Sequence, residues 1–354
     1  MPVRSYRKFA LFACLSLAFS AQAKIIFVDT NAIGLNHGQS WQNAYKELQT
    51  GLNNAQSGDE IWVADGTYYP TADGNRSLSF EIPAGVQIYG GFAGGFSGEF
   101  QRSLRRWHEH PVILSGNISD ANSATDNSYH VVVMGEDALI DGFTVRDGYA
   151  DGTHALDNGG GIFAVDRDNC YIRNCIIRNN HAAANGGGVY TDSQNPRVAT
   201  CLFIQNSALN GAAVYVSASA GTRLANCTIT NNHSSGTAGG LFSFNSPVRI
   251  SNSILWGNTP IEMAGIQTVV RHSIIAGGWT QDDSINVYDA DPLFADSANE
   301  DYHLSSLSPA VDAGNAEDIP QDFPQHFGVS LPFDYEHNER RRDLAEAVDQ
   351  GPPP

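Results

Sequence analysis

The chain has 354 residues, with 38 acidic residues against 20 basic ones and a formal net charge of −18. A negative field of this size repels nucleic acid and anionic membrane surfaces, which excludes both as expected partners. The 35 glycines and a charged fraction of only 16% are typical of a β-rich protein with many turns.

The first 23 residues have the pattern of a secretory signal peptide. Three basic residues lie among the first eight, and the apolar run over 9–19 is too short to span a bilayer. Small residues at Ala21 and Ala23 predict cleavage after Ala23. Lipidation at Cys14 is the alternative, which the continuation of the apolar run past that cysteine disfavours. The mature chain is therefore predicted to be secreted, periplasmic or on the cell surface, without a transmembrane segment.

Residues 24–111 are predicted to form an N-terminal cap and the first strands. Strands are expected near 24–29, 59–68 and 85–92, where β-branched and aromatic residues dominate. The stretch "SWQNAYKELQTGLNNA" predicts an amphipathic helix with Ser40 as its N-cap. Its apolar face would comprise Trp41, Ala44, Tyr45, Leu48 and Leu52. We expect this helix to close the first turn of the fold, because open strand edges promote aggregation.

A repeat of 26 residues follows. One set of equivalent positions comprises Cys175, Cys201, Cys227 and Ser253, and another comprises Asn180, Asn206, Asn232 and Asn258. The segments between them are short, β-rich and bounded by Gly and Asn, and the period suits one coil of a parallel β-helix. Coils stack at about 4.8 Å, so equivalent residues should lie in columns. The asparagines would hydrogen-bond along their column, and the cysteines would fill the interior.

The repeat region is predicted to span 112–288 and to be all-β. Two apolar columns should point inward: Ile172, Val198, Leu224 and Ile250 in the first, and Ile177, Phe203, Ile229 and Leu255 in the second. From 289 to 354 the repeat is lost while proline and charge increase. This last segment is predicted to be a terminal cap, or a loop laid over the side of the solenoid.

Several motifs resemble the choice-of-anchor Q family of exported bacterial proteins. They include "GQSWQNAYKELQTGLNNAQSGDEIWVADGTYYPT", "DADPLF", "DYHLSSLSPAVDAGN" and "VDQG". The resemblance implies a right-handed parallel β-helix of the pectin-lyase-like superfamily, here with an N-terminal capping helix. The alternating "NN" and "GGGVY" units also resemble the repeats of polymorphic outer-membrane proteins, which are adhesins. Neither resemblance brings a catalytic residue with it.

Two charged groups are candidate sites. Asp147, Asp151 and Asp157 lie in the longest insertion between repeats and could bind calcium, although aspartates beside glycine are common in solvated turns. Arg197, Arg223 and Arg249 recur every 26 residues and should form an outward column. That column would bind an acidic glycan, unless carboxylates from loops neutralise it.

An outward apolar stripe is a third feature. It comprises Ile176, Leu202, Thr228 and Ile254, with Ile204 and Trp256 beside it. We expect the C-terminal segment to cover this stripe. The alternative is an exposed platform for sugar stacking, with Trp256 and Trp279 as the aromatic residues. The cysteines left after cleavage are expected to be buried free thiols, because three in one column cannot all pair, although stacked neighbours fall within disulfide range.

These observations leave two hypotheses for function. The first is a non-catalytic surface, adhesion or glycan-binding protein. The second is a polysaccharide lyase or hydrolase acting on an acidic polysaccharide along one flank, which would need carboxylates converging with an arginine. The sequence assigns no cofactor, and calcium is the candidate ion, because lyases on this fold typically use it to neutralise the uronate.

Overall fold

The structure is a computed structural model that describes residues 23–281, 283–311 and 313–318. The predicted signal peptide up to residue 22 lies outside the described residues, as does the predicted C-terminal segment from 319 onward. The part of the chain that is described winds into a parallel β-helix, which confirms the all-β solenoid.

Each coil contributes strands to three faces. We call face 1 the stack of Ile25–Val28, Glu60–Ala64, Gln87–Phe92, Leu139–Asp141, Tyr171–Arg173, Arg197–Ala199, Thr222–Ala225, Val248–Ser251 and the first half of Thr268–Ile275. Face 2 comprises Gly66–Tyr68, Val112–Ser115, Phe143–Arg146, Ile176–Arg178, Leu202–Ile204, Thr228–Thr230, Ile254–Trp256, the second half of Thr268–Ile275 and Ile285–Tyr288. Neighbouring strands within both faces pair in parallel, as a solenoid requires.

Face 3 comprises Phe80–Glu81, Val132–Val133, Ile162–Ala164, Val189–Thr191, Val214–Ser217, Leu241–Phe244 and Met263–Gly265. Short strands at the corner between faces 2 and 3 are Tyr149–Ala150, His181–Ala182, Ser207–Ala208 and His233–Ser234. An antiparallel hairpin, Phe294–Asp296 with Asp301–Leu304, follows the last coil. Within the described residues the helices are the α-helix Leu48–Asn53 and the 3₁₀ turns Gly95–Ser97, Arg102–Leu104, His154–Asp157, Ser297–Asn299 and Ala316–Asp318.

The core is a set of apolar columns inside the solenoid. The longest runs through face 1 in strict register: Ile26, Ile61, Ile88, Ile140, Ile172, Val198, Leu224, Ile250 and Val270. All nine side chains are buried. The predicted column Ile177, Phe203, Ile229 and Leu255 is likewise in register and buried on face 2. Both inward predictions are confirmed.

A buried ladder of asparagine amides runs along the corner after face 2. Nδ2 of each residue donates to Oδ1 of the next at 2.8–3.1 Å, through Asn180, Asn206, Asn232 and Asn258. The same oxygens also accept a main-chain N–H at about 3 Å. The ladder ends on the carboxylate of Glu262, whose pKa is raised by burial. The coils that carry these four asparagines are thereby joined to one another by buried hydrogen bonds.

Glycines at the corner before face 3 allow the backbones of successive coils to touch. Gly186 adopts a φ of +65°, which favours glycine. Gly187 needs no such φ, but a Cβ there would lie 2.3 Å from the carbonyl oxygen of Ser207 in the next coil. In the "GGG" motif, the first glycine therefore allows the left-handed turn, and the second allows close contact between the backbones of successive coils.

The cysteines form the predicted interior column. The Cys201 thiol lies against the thiols of Cys175 and Cys227, and burial raises its pKa well above the ordinary value. Cys170, outside the column, is also buried, and its pKa is raised to about 12. All four are free thiols, as predicted. Serine continues the column, because Ser253 Oγ accepts the N–H of Cys227 at 3.1 Å.

The predicted N-terminal helix is much shorter than expected. It covers only Leu48–Asn53, whose Leu48 and Leu52 do pack onto the core at the first coil. Residues before it cover the edge of the first strand instead: Tyr45 N–H donates to the carbonyl of Phe27 at 2.9 Å, and Asp29 N–H donates to that of Tyr45 at 2.8 Å. This edge pairing overrides helix propensity. Ser40 is therefore not the N-cap; its hydroxyl accepts the N–H of Asn43 within a turn.

The other end of the solenoid is closed by the loop after Thr268–Ile275. Trp279 packs on the core and donates to the Thr268 carbonyl at 3.0 Å. Gln281 bridges two faces, because its Oε1 accepts the Thr268 N–H and its Nε2 donates to the Gly265 carbonyl. Side chains thus satisfy main-chain groups that a further coil would otherwise bond.

Replacing one rung of the ladder should destabilise the whole solenoid. We expect Asn206→Leu to lower the free energy of unfolding by about 2–4 kcal/mol, because the main-chain N–H of Asn180 and an N–H of its carboxamide then lose their buried acceptor, Asn206 Oδ1. Urea unfolding followed by circular dichroism measures the change. Asn53→Ala, at an exposed position, is the control. Equal stability of the two variants would contradict the assigned role of the ladder.

Candidate functional site

The outward surface of face 2 carries one apolar column that becomes the floor of a cleft. In register it comprises Ile113, Thr144, Ile176, Leu202, Thr228, Ile254 and Ile274. The cleft lies over the last five of these residues and has a volume of about 480 Å³. Pockets of this size and largely apolar character are typical of small-molecule sites.

The C-terminal hairpin forms one wall of the cleft. Arg178 holds it through two bonds to the Glu300 carboxylate, at 2.8 and 2.9 Å, and Gln205 donates to the same carboxylate at 3.0 Å. Asn231 donates to the hydroxyl of Tyr302 at 3.0 Å. Hydrogen bonds from Arg178 are the main reason that the pKa of Glu300 lies below its ordinary value.

A second attachment lies at the other side of the cleft. Asn252 pairs with the main chain of Asn315: its Nδ2 donates to the carbonyl, and its Oδ1 accepts the N–H, both at 2.9 Å. His272 contacts the Asp318 carboxylate, which Arg271 also approaches at 3.6 Å. The predicted covering of the apolar stripe by the C-terminal segment is therefore confirmed in part, with a cleft left between cover and floor.

Polar and aromatic groups surround the floor. Tyr288 and Tyr302 contribute aromatic rings, and His272 and His303 contribute imidazoles. Asn226 lies at the edge toward face 1, where its Nδ2 is buried without an acceptor among the described residues. Such a site can hold a ligand that has an apolar face and several hydrogen-bonding groups.

The predicted arginine column exists, but on face 1 rather than at the cleft. Arg197, Arg223 and Arg249 are adjacent in register. Their exposure is unequal, because Arg197 is buried and donates to the Gly221 carbonyl at 2.8 Å, whereas Arg249 is exposed. Its glycan-binding role stays a prediction.

The two tryptophans do not form a common platform. Trp256 lies on face 2, half-buried and in register with Thr230. Trp279 closes the end of the core, where its indole is held by the Thr268 carbonyl. The aromatic residues at the cleft are tyrosines instead, and one of them comes from the hairpin.

Each of the predicted calcium ligands has its own partner. Asp147 accepts from Ser115 at 2.9 Å and pairs with Arg146, and Asp151 pairs with Arg76. Asp157 accepts from its neighbour Asn158. Within the described ranges no three His, Cys, Asp or Glu side chains are placed to hold a metal ion. The calcium site stays a prediction without support from this geometry.

Another charged cluster lies buried beneath a loop on face 1. Asp141 is fully buried between Arg105 and Arg173. Burial acts to raise its pKa, but the two guanidinium groups outweigh burial, so the pKa is lowered. The cluster fastens the loop containing Arg105 onto face 1, beside the rings of Tyr89 and Trp107.

Comparisons with known proteins agree with this architecture. A family model described as "Right handed beta helix region" matches residues 112–277. The chain is thus an all-β, right-handed parallel β-helix. This family model does not test the resemblance to the choice-of-anchor Q family, which stays a prediction. A comparison with curated protein sequences found no match.

Solved structures similar to the chain include three enzymes. A pectate lyase, Pel9A, has 13% identity and a TM-score of 0.48, covering 75% of this chain and 67% of its own. A rhamnogalacturonan lyase has 10% identity and a TM-score of 0.45, covering 76% and 85%. Pectin methylesterase PemA from Erwinia chrysanthemi has 10% identity and a TM-score of 0.39, covering 77% and 81%. No substrate or mechanism transfers at these values.

No helix in the described part of the chain is long and apolar enough to cross a bilayer.

Removing the charge of Glu300 should loosen the wall of the cleft. At neutral pH we expect Glu300→Gln to raise amide hydrogen exchange over 294–304 by up to about fivefold, since exposed ion pairs contribute little each. The wild type should show the same loosening as pH falls below the ordinary value of 4.5 and through the lowered pKa of Glu300. Glu81→Gln, exposed on face 3, is the control. Unchanged exchange in Glu300→Gln would contradict the anchoring role.

Proposed function

We propose that the protein is an exported, non-catalytic glycan-binding protein, and that it binds its ligand in the cleft over face 2. The observation that carries the proposal is the cleft itself. It combines an apolar floor, contributed by one residue from each coil, with tyrosines, imidazoles and amides at its edges.

This combination suits a sugar. A pyranose ring has apolar C–H faces that pack on aliphatic or aromatic side chains, and hydroxyl groups that need hydrogen-bonding partners. Leu202 and Ile254 offer the first kind of surface. Asn226 and His303 offer the second.

The charges around the cleft favour binding over catalysis. Glu300 is the carboxylate that lines it, and this group is held by Arg178 and Gln205. A carboxylate with a lowered pKa and its lone pairs engaged is poorly suited to act as a general acid or base near neutral pH. The lyase or hydrolase hypothesis needs converging carboxylates, whereas the described residues of the cleft offer one engaged carboxylate.

A contact at Lys24 supports export with cleavage after Ala23. The main-chain nitrogen of Lys24 lies 3.0 Å from Oδ1 of Asp59, whose side chain is buried. Cleavage at the predicted position would convert that nitrogen into an ammonium group. The buried carboxylate, which Lys24 Nζ already approaches at 3.7 Å, would then gain a second and closer ion pair, which stabilises it more than a neutral donor does.

Blocking the cleft should abolish binding. We expect Thr228→Trp to weaken binding of neutral oligosaccharides by at least about tenfold, because an indole on the floor occupies the ligand's volume. Thr144→Trp is the matched control, since Thr144 occupies the same column two coils before Leu202 and outside the cleft. Isothermal titration calorimetry against neutral and uronate oligosaccharides, with and without calcium, measures the difference.

The same mixtures of protein and oligosaccharide should also be assayed for reaction products. Equal affinities of the two tryptophan variants would contradict the cleft as the binding site. Formation of an unsaturated or newly reducing product by the wild type, lost in Glu300→Gln, would contradict a non-catalytic function and favour the lyase or hydrolase.

Export predicts a defined mature N-terminus. When the full chain is expressed with its own leader in a bacterial host, the exported protein should begin at Lys24. N-terminal sequencing and intact mass of the fraction outside the cytoplasm give the result. A full-length cytoplasmic product, or a lipid-modified Cys14, would contradict this assignment.

A further inference from the structure

Two loops near the N-terminal end of face 1 carry an exposed apolar patch. They are residues 30–43 and 93–106, and they contain five of the six most exposed large apolar side chains in the described residues. These five are between 54% and 82% exposed, and they are Ile33, Leu35, Phe96, Phe100 and Leu104. Single exposed apolar residues are ordinary on a protein surface, whereas five on two contacting loops indicate an interaction site.

The two loops are joined at their bases. Asp29 binds both of them, because its Oδ1 accepts the N–H of Asn31 at 2.8 Å and its Oδ2 accepts that of Gly95 at 3.0 Å. Trp41 of the first loop is buried, and its Nε1 donates to the carbonyl of Glu99 in the second loop at 2.9 Å. The exposed apolar residues therefore belong to one surface of the protein.

The backbone beside the exposed side chains of the second loop is fixed. Phe96 and Phe100 each directly follow a residue that is bonded to the first loop or its base. Leu104 directly precedes Arg105, which is buried and paired with Asp141. These apolar side chains are thus held in solvent by an anchored backbone.

The charge of the two loops differs from that of the chain. Together they contain three arginines and one glutamate, a balance of +2 (3 minus 1), whereas the whole chain carries −18. Arg102 is paired with Glu60, whereas the side chain of Arg106 is half exposed. The patch therefore lacks the negative charge with which the rest of the chain would repel a headgroup phosphate.

These features fit a lipid surface better than a second copy of the chain. Two copies would bring together net charges of −18 each, which repel one another. A bilayer interface is fluid, so protruding side chains insert between headgroups without a complementary surface, and burial of their apolar area drives binding. Arg106 lies in the same loop and can pair with a headgroup phosphate.

We propose that this patch binds a zwitterionic lipid surface, with Phe96, Phe100 and Leu104 inserted at the level of the headgroups. Anionic lipid is disfavoured, because the net charge of the chain opposes its approach. The inference is independent of the proposed function, since the cleft lies over face 2 and shares no residue with the patch.

Sedimentation with phosphatidylcholine vesicles tests the inference. The chain from Lys24 to Pro354 is used, because the apolar run over 9–19 would itself bind lipid. We expect the wild type to bind, and Phe96→Ser combined with Phe100→Ser to weaken binding by about a hundredfold, roughly tenfold for each side chain. Phe244→Ser is the control and should bind as the wild type does, because Phe244 is also exposed but lies on face 3.

The other outcomes contradict the inference in distinct ways. No binding by the wild type, or equal binding by the double variant, overturns it. Tighter binding when phosphatidylglycerol is added to the vesicles overturns the zwitterionic assignment. If the wild type ignores vesicles but sediments as a dimer, and the double variant sediments as a monomer, a second copy covers the patch instead. Melting temperatures establish that each variant folds, and Leu35→Ser replaces the double variant if that variant does not.

One further variant keeps this inference separate from the proposed function. Thr228→Trp changes the floor of the cleft and should bind vesicles as the wild type does, whatever its affinity for oligosaccharides. Loss of vesicle binding in this folded variant would place the lipid in the cleft and overturn the assignment to the loops.

Discussion

The structure depends on the in-register stacking of equivalent side chains in successive coils. In a column of equivalent residues, apolar side chains contact apolar side chains, and each asparagine amide lies within hydrogen-bonding distance of the next amide. The ladder from Asn180 to Asn258 is the most demanding case, because its polar groups are buried and bond only in one register. A slip of one residue would turn the Ile172 column outward and break every rung, so packing and hydrogen bonding enforce the same alignment.

A stack of this kind has no intrinsic end, and the protein closes it with side chains and short segments. At one end residues before Leu48–Asn53 pair with the first strand of face 1. At the other, Trp279 and Gln281 take the place of a further coil. The chain then turns back along face 2, where polar contacts fasten the hairpin at Arg178 and the segment after it at Asn252. The cleft is the space between face 2 and this C-terminal segment.

The proposed binding site lies on the outside of the solenoid, and this position has a physical consequence. The floor belongs to the stacked strands of face 2, whereas the wall is held by exposed ion pairs and amide contacts that each contribute little. Floor residues can therefore define the shape of a ligand, while the wall can shift to admit it.

Much of this protein could be predicted from the sequence. The 26-residue period identified the solenoid, the asparagine ladder, the thiol column and both inward columns, because residues at equal spacing must meet when coils stack. The start of the N-terminal helix could not be predicted: the pattern from Trp41 to Leu52 fits a helix, but an unpaired strand edge competed for the same backbone. The cleft could not be predicted from local sequence patterns either. Glu300 lies 122 residues from Arg178 and Asn315 lies 63 from Asn252, and no periodicity relates them. Repetition encodes contacts between coils, whereas the site arises where a non-repeating segment folds back, and only the tertiary structure decides which surface that segment covers.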